Sequence, residues 1–96
     1  MNQPMRTAQA KLTLLLQADP VTAGMYVRVH GDHLIAGRSE PPENDDRVRF
    51  TRLAANRYGV SVKRHTGRWQ TTPFCGTLEE TVEVVCSVMQ HLVAPI

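Results

Sequence analysis

Short runs of alternating apolar and polar residues fill most of residues 25–74, and dipeptides typical of turns separate them. This alternation predicts an antiparallel meander, in which each strand buries one face and exposes the other. In the first hairpin, MYVRVHGDHLIAGR, a two-residue Gly-Asp turn pairs His30 with His33. The core face of that hairpin then carries Val27, Val29, Leu34 and Ala36.

The segment SEPPENDD, residues 39–46, combines two prolines, an asparagine and four acids, which predicts a loop. Three further strands follow this loop. Their apolar positions are Val48 and Phe50, then Val60 and Val62, and finally Trp69. An odd loop around residues 55–57, or a bulge at Gly59, is expected between the first two of them, because an even loop would place Phe50 opposite Ser61.

The last hairpin closes at a Thr-Gly dipeptide, and a two-residue turn there pairs Arg64 with Trp69. This register predicts a contact between the arginine and the indole ring. It also places Trp69 on the core face, beside the valines of the preceding strand.

The segment GTLEETVEVVCSVMQHLVAP predicts a helix over residues 77–93. Thr77 and Glu80 have the spacing of a capping box, and Pro95 ends the run. The core stripe of this helix is Leu78, Val82, Val85, Met89 and either Leu92 or Val93. Val84 and Val88 widen the stripe beyond what one sheet face needs. These two valines are a candidate dimer contact, with burial inside the same chain as the alternative.

The N-terminal segment fits two patterns. Helical spacing is present at Met5, Ala8, Leu12, Leu15 and Leu16, and strand-like alternation at Ala10, Leu12, Leu14 and Leu16. Its Ala, Gln, Lys and Leu content favours the helix, and residues 1–4 are expected to be disordered. The predicted fold is one α+β domain over residues 1–96. It has two layers, with an antiparallel meander of about five strands packed on the C-terminal helix and a short N-terminal helix beside it.

Charge is unevenly distributed along the chain. Residues 47–72 contain seven basic groups and no acid, whereas the remaining residues contain four basic groups and nine acids, so the net charge of +2 combines +7 with −5. Strand parity predicts one polar face opposite the core. Its basic members are expected to be Arg47, Arg49, Lys63, His65 and Arg68. Hydroxyl and amide groups are expected among them at Thr51, Ser61, Gln70 and Thr72.

Such a face suits three roles. The first expectation is a non-catalytic module that binds an acidic protein surface or a second copy of the chain. The alternative is binding of nucleic-acid phosphates, and the third role is solubility alone. Sheets that bind single strands usually expose aromatic rings, and here Trp69 and Tyr58 are predicted on the core face. The acidic segment 39–46 directly precedes the basic strands and is expected either to fold over them or to flank them.

No sequence motif indicates catalysis. His30, Asp32 and His33 form a cluster for which no third or fourth zinc ligand is predicted, so no metal site is expected. Cys75 has neither a base nor an orienting group near it in the sequence. We therefore expect no enzyme activity and no cofactor, and a small enzyme or metal site at a subunit interface is the least favoured interpretation.

The sequence also suggests a location. The apolar run of residues 12–16 is too short for the core of a signal peptide or for a membrane span. Two cysteines are fewer than a small secreted domain usually carries. These features predict a cytoplasmic protein without membrane attachment.

Overall fold

The computed structural model describes the backbone of residues 3–40, 43–64 and 66–93. Over these residues the chain has the predicted α+β arrangement, a five-stranded antiparallel sheet with helices packed on one side. The strands lie in the sheet in their chain order, so the sheet is a meander. The elements are α1 (Gln3–Gln17), β1 (Tyr26–His30), β2 (His33–Glu40), β3 (Glu43–Ala54), β4 (Arg57–Lys63), β5 (Trp69–Gly76), α2 (Leu78–Ser87) and α3 (Gln90–Val93).

The N-terminal segment forms the predicted helix. Its buried residues are Met5, Ala8, Leu12 and Leu16. A strand would have buried Leu14, which is 73% exposed. Gln3 and Pro4 belong to α1, the first two residues lie outside the described part of the chain, and the expected disorder of residues 1–4 stays a prediction. Proline is tolerated there because the first helical turn does not use its backbone N–H groups.

The core lies between the helices and one side of the sheet, termed here the inner face. Phe50 on the central strand β3 is completely buried. The fully buried side chains that share its cluster include Leu12, Leu16, Leu34, Val48, Val60 and Val85. Burying one side chain of this size contributes about 1.5–3 kcal/mol, so the apolar positions fix which side of each strand faces the helices. The opposite side is termed the outer face.

The first hairpin has the predicted register. His30 pairs with His33, and the apolar residues of both strands pack in or against the core cluster. Gly31 has a φ of 60°. A type II′ turn requires this positive value at its first central residue, which glycine adopts without steric cost.

The acidic segment 39–46 is not the predicted loop. β2 continues to Glu40 and β3 begins at Glu43, and the two prolines between them lie outside the described residues. Two carboxylates of this segment have cationic partners within the sheet. Asp46 accepts a hydrogen bond from Arg28 Nη2 at 2.7 Å, and Asp45 accepts one from Arg47 Nε at 2.7 Å. These opposite charges offset the repulsion among the acids, so the strands can pair.

The connection between β3 and β4 is a two-residue turn, residues 55–56, and a bulge at Leu53 restores the parity that an even turn would break. Phe50 therefore pairs with Val60, and both are completely buried. The predicted odd loop is wrong, although Phe50 and the valines of β4 share one face as expected. In the β3–β4 pair the bulge lies in β3 and not at Gly59.

The last hairpin differs from the prediction by one residue. Lys63 pairs with Trp69, and the Arg64 amide donates to the Arg68 carbonyl at 2.8 Å. Three loop residues are therefore enclosed instead of two. A shift by one residue turns every side chain of a strand to the other side of the sheet. Trp69 accordingly lies on the outer face with Lys63, and its predicted placement toward the core and its predicted contact with Arg64 are both wrong.

Turn chemistry explains this register. A two-residue type I′ turn requires positive φ at both central residues, and the β-branched Thr66 resists that conformation. A three-residue loop requires positive φ only at its last position, where Gly67 has a φ of 87°. The loop that needs one glycine is therefore favoured over the loop that needs two.

The C-terminal segment begins with the predicted capping box. Thr77 Oγ1 accepts from the Glu80 amide at 3.2 Å, and the Glu80 carboxylate accepts from the Thr77 amide at 2.8 Å. The buried residues of the predicted stripe are Leu78, Val82, Val85, Met89 and Val93. The single helix predicted over residues 77–93 is instead interrupted between α2 and α3. Valines lower helix propensity here, and Ser87 Oγ donates to the Glu83 carbonyl at 2.7 Å near the end of α2.

Arg38 joins three parts of the chain and was not singled out by the sequence pattern. The residue is 8% exposed. Its Nη1 donates to the Ala23 carbonyl at 2.6 Å, and its Nη2 donates to the Val21 carbonyl at 2.7 Å. Nε and Nη2 both donate to the Val93 carbonyl, at 3.2 and 2.9 Å. One buried guanidinium thus fastens the loop after α1 and the end of α3 to the sheet.

Candidate functional site

The outer face brings charged and aromatic side chains together. Directly paired residues of antiparallel strands project to the same side, so the register assigns the members of this face. One row across the sheet consists of Arg28, Ile35, Arg49, Ser61 and Thr71. Beside this row lie Tyr26, Gly37 and Asp46 at one end and Lys63 with Trp69 at the other. Both long helices pack on the inner face, so within the described residues the outer face is built by strands.

Trp69 lies against two cations. Arg49 Cζ is 5.0 Å from the centroid of the indole ring, and Lys63 Nζ is 5.8 Å from it. Both distances fall within the roughly 6 Å range of cation–π attraction. Because β4 separates β5 from β3, contact with Arg49 carries the indole across β4 above Ser61, which is only 4% exposed. The indole is itself only half-buried, so part of the ring faces solvent.

Arg49 is held by packing more than by hydrogen bonds. Its Nε is buried and has no hydrogen-bond partner among the described residues. Its neighbour on β2 is Ile35, which is buried although it projects to the outer face. The aliphatic stem of an arginine covers apolar surface of this kind while its head group stays near solvent. Among the described residues, neither Arg49 nor Lys63 forms an ion pair.

An acidic network occupies the other end of the outer face. Tyr26 donates a hydrogen bond to Asp46 Oδ1, and Arg28 donates to the same carboxylate. The hydrogen bond from Arg28 lowers the pKa of Asp46, whereas burial, followed by the bond to Asp46, raises the pKa of Tyr26. Gly37 leaves room for this arrangement, because a Cβ there would lie 2.7 Å from Tyr26 Oη.

His33 borders the face without adding charge at neutral pH. Its Nδ1 lies 2.9 Å from Thr51 Oγ1. Burial, followed by the nearby Arg49 guanidinium, lowers the pKa of His33 below its ordinary value of 6.5. The imidazole is therefore mainly neutral at pH 7. In the described part of the chain, no group of three or more His, Cys, Asp or Glu side chains is placed to hold a metal ion.

The structure does not bring all the residues predicted for the basic face together. Arg49 and Lys63 meet at Trp69, whereas Arg47 pairs with Asp45 on its own strand. Arg68 lies in the exposed loop before β5 and not on the sheet face. His65 is outside the described residues.

The register shift also exchanges the neutral side chains of β5. Gln70 pairs with Val62 of the inner face, and Thr72 Oγ1 donates to the Val60 carbonyl at 2.7 Å. Trp69 and Thr71 take the outward positions instead. The sequence pattern therefore missed the indole at the centre of the candidate site, although the preference of Thr66 for negative φ was a usable signal.

The remaining candidates lie away from this face. Val84 is half-buried against the core, and Val88 is 56% exposed at the end of α2. Cys75 and Cys86 are free thiols, and Arg57 Nη2 donates to Cys75 Sγ at 3.0 Å.

An open groove of about 670 Å³ lies between α1, the β3–β4 turn and the start of α2. Lys11 in its wall forms an ion pair with Glu79 at 2.7 Å. No helix within the described residues is both long and apolar enough to cross a membrane.

Comparison of the chain with protein-family models, with curated proteins and with solved structures gives no match. The assignment of function therefore depends on the residues of this chain.

Proposed function

We propose that this protein is a non-catalytic binding module that holds an anionic macromolecule on its outer face. The observation that carries the proposal is the cluster of Arg49 and Lys63 around the half-buried ring of Trp69. Two adjacent cations that form no ion pair within the described residues attract an anion more strongly than cations that are already neutralised. Arg28 and Arg47, by contrast, pair with Asp46 and Asp45.

The packing of this cluster supports a binding role. An arginine held against a ring has lost side-chain freedom before any partner arrives, so binding costs less conformational entropy. The buried, unpartnered Nε of Arg49 adds to the argument, because buried polar atoms in folded proteins nearly always have a hydrogen-bond partner. The acidic pairs lie on the β1–β3 side of the face, and Asp46 is near enough to Lys63 for their charges to interact, so the positive surface is limited to the β3–β5 side.

Chromatography on immobilised heparin tests this proposal, with the salt concentration at elution as the readout. The variant is Arg49→Gln with Lys63→Gln, and the matched control is Arg6→Gln with Lys11→Gln, which removes one arginine and one lysine from exposed positions of α1. Circular dichroism verifies that both proteins are folded. We expect the wild type and the control to elute at similar salt and the outer-face variant to elute earlier. Equal elution of the two variants, or no retention of the wild type at low ionic strength, would contradict the proposal.

The other sequence-based expectations remain predictions. A cytoplasmic location, the lack of enzyme activity and self-association through Val84 and Val88 each need separate measurements. Light scattering coupled to size-exclusion chromatography measures the last of these. If the wild type is a dimer and Val88→Lys is a monomer, the dimer contact lies at the end of α2. A monomeric wild type would contradict self-association.

A further inference from the structure

We infer that the anionic partner is a single-stranded nucleic acid and that one of its bases stacks on Trp69. This inference rests on the proposed function and adds the identity of the partner. Aromatic side chains on an open sheet give single strands a surface on which bases of any type stack. The register of β5 places an indole on the outer face, in contact with the two cations that carry the proposed function.

The indole separates a nucleic acid from an acidic protein as the partner. The face of an aromatic ring carries negative electrostatic potential, which attracts cations and gains nothing from a carboxylate. The carboxylates of an acidic protein would therefore bind Arg49 and Lys63 but would gain nothing from the Trp69 ring that these cations contact. A nucleotide uses all three side chains, because its base stacks on the exposed part of the ring while its phosphates meet the cations.

The shape of the outer face separates a single strand from a duplex. Duplex DNA is usually read by a helix or a two-stranded ribbon that enters the major groove. Both long helices of this protein pack on the inner face, and the part of the outer face that the structure describes is made of sheet. The bases of a duplex are also stacked on one another, so their faces are closed to Trp69. A single strand offers both an open base and a flexible backbone.

The side chains next to Trp69 and Arg49 suit a single strand that the protein binds without sequence preference. Thr71 is exposed beside Trp69, and Thr51 is half-buried beyond Arg49. Their hydroxyl groups donate to phosphate or sugar oxygens, contacts that position a strand without reading its sequence. Stacking and charge then supply most of the affinity.

Trp69 reports directly on this contact because it is the one tryptophan of the chain. We would titrate the wild-type protein with a twelve-nucleotide oligothymidylate, with a blunt duplex of the same length and with poly-L-glutamate, and follow indole fluorescence. The expected result is quenching by the oligothymidylate, weaker binding of the duplex and no quenching by poly-L-glutamate. The logarithm of the binding constant should fall with the logarithm of salt concentration with a slope of about −1.4 or steeper, as expected for two neutralised phosphates of a single strand.

Substitutions at Trp69 then separate stacking from charge, with binding measured by the anisotropy of a labelled oligothymidylate. We expect Trp69→Leu to bind about five- to one-hundred-fold more weakly, which is the usual effect of losing one stacked base. Trp69→Phe retains an aromatic face and should stay closer to the wild type than Trp69→Leu does. If Trp69→Leu fails to fold, the phenylalanine variant and the wild-type quenching still decide the question.

The outcomes distinguish this inference from the function on which it rests. Retention on heparin without binding of the oligothymidylate would leave the proposed function in place and overturn the inference. Binding of poly-L-glutamate as tightly as the oligonucleotide, with no effect of Trp69→Leu, would identify an acidic protein as the partner instead. Failure to bind any of the polyanions would overturn both.

Discussion

Replacing Arg38 by methionine should destabilise the protein more than replacing any exposed arginine. The substitution keeps an unbranched apolar stem that reaches about as far as Nε of the arginine, but removes a guanidinium that donates to three backbone carbonyl groups. A buried polar group left without its partner costs about 1–3 kcal/mol. Removing the arginine also removes the desolvation cost of a buried charge, which offsets part of this loss. We therefore expect the free energy of unfolding to fall by about 3–5 kcal/mol, near the upper end of single-substitution effects.

Urea denaturation measures this loss, with far-ultraviolet circular dichroism and indole fluorescence as independent probes of unfolding. The control is Arg64→Met, because Arg64 is exposed and its side chain donates to another side chain, Gln70 Oε1 at 2.6 Å, and not to buried carbonyl groups. Exposed changes of this kind stay within about 0.5 kcal/mol. The same loss should lower the melting temperature of Arg38→Met by at least about 12 °C, at roughly 4 °C or more per kcal/mol for a domain of this size.

A lysine at this position gives a graded result. Its ammonium group carries the charge of Arg38, but it is a compact donor and cannot reproduce the fork that reaches three separate carbonyl groups. Arg38→Lys should therefore fall between the wild type and Arg38→Met. A loss of less than about 1 kcal/mol in Arg38→Met, similar to that in the control, would refute the account of Arg38 as the side chain that fastens these segments.

Three further perturbations test the local structure. Gly37→Ala should lower the free energy of unfolding by about 2–3 kcal/mol, because a Cβ at this position meets the backbone of β3. Gly31→Ala should lower it by about 1 kcal/mol, because a Cβ there meets no atom within 4 Å but the residue has a φ of +60°. Thermal denaturation ranks the two variants. The pKa of His33 is lower in the folded state, so the stability it contributes is complete above pH 6.5 and is lost as pH falls through the folded pKa. A titration by nuclear magnetic resonance should give a His33 midpoint below 6.5, and Arg49→Gln should raise it. Thr77→Ala removes the helix cap and should lower the free energy of unfolding by about 1 kcal/mol, and an unchanged urea midpoint would contradict the capping box.

Most of the fold follows from local signals in the sequence. The capping box marks the start of α2, and the alternation of apolar residues places the strands, because both depend on neighbours within a few residues. The turn at Gly31 fixed the first hairpin correctly, since glycine is required at a position where the sequence supplies it. The helical spacing of α1 was likewise sufficient, although a strand pattern was also present.

The incorrect predictions share one physical origin, because each concerns a turn length or a long-range contact that the local sequence pattern does not determine. A loop of two or three residues around Gly67 decides which side of the sheet carries Trp69, and the answer depends on how poorly Thr66 adopts positive φ. The strands of the acidic segment depend on ion pairs between residues that lie far apart in sequence, such as Arg28 with Asp46. Arg38 reaches partners as distant as Val93, and no local spacing encodes such contacts.

The candidate site was therefore predicted in part. Strand parity correctly grouped Arg49 and Lys63, because β3 and β4 are both fixed by buried residues on their inner sides. It misplaced Trp69 and Arg68, which lie beyond the turn whose length was wrong. This correction changes the chemistry expected of the face, since an aromatic ring replaces a third cation.

Chemical-shift mapping with a ¹⁵N-labelled protein and unlabelled oligothymidylate tests the central claim most directly. The account predicts that the largest shifts occur on the outer face, at the backbone amides of Arg49, Lys63 and Thr71 and at the indole N–H of Trp69. Shifts concentrated instead in the groove between α1 and α2, near Lys11 and Thr77, would contradict the outer face as the binding site. Spectra that do not change at low salt would contradict nucleic-acid binding altogether.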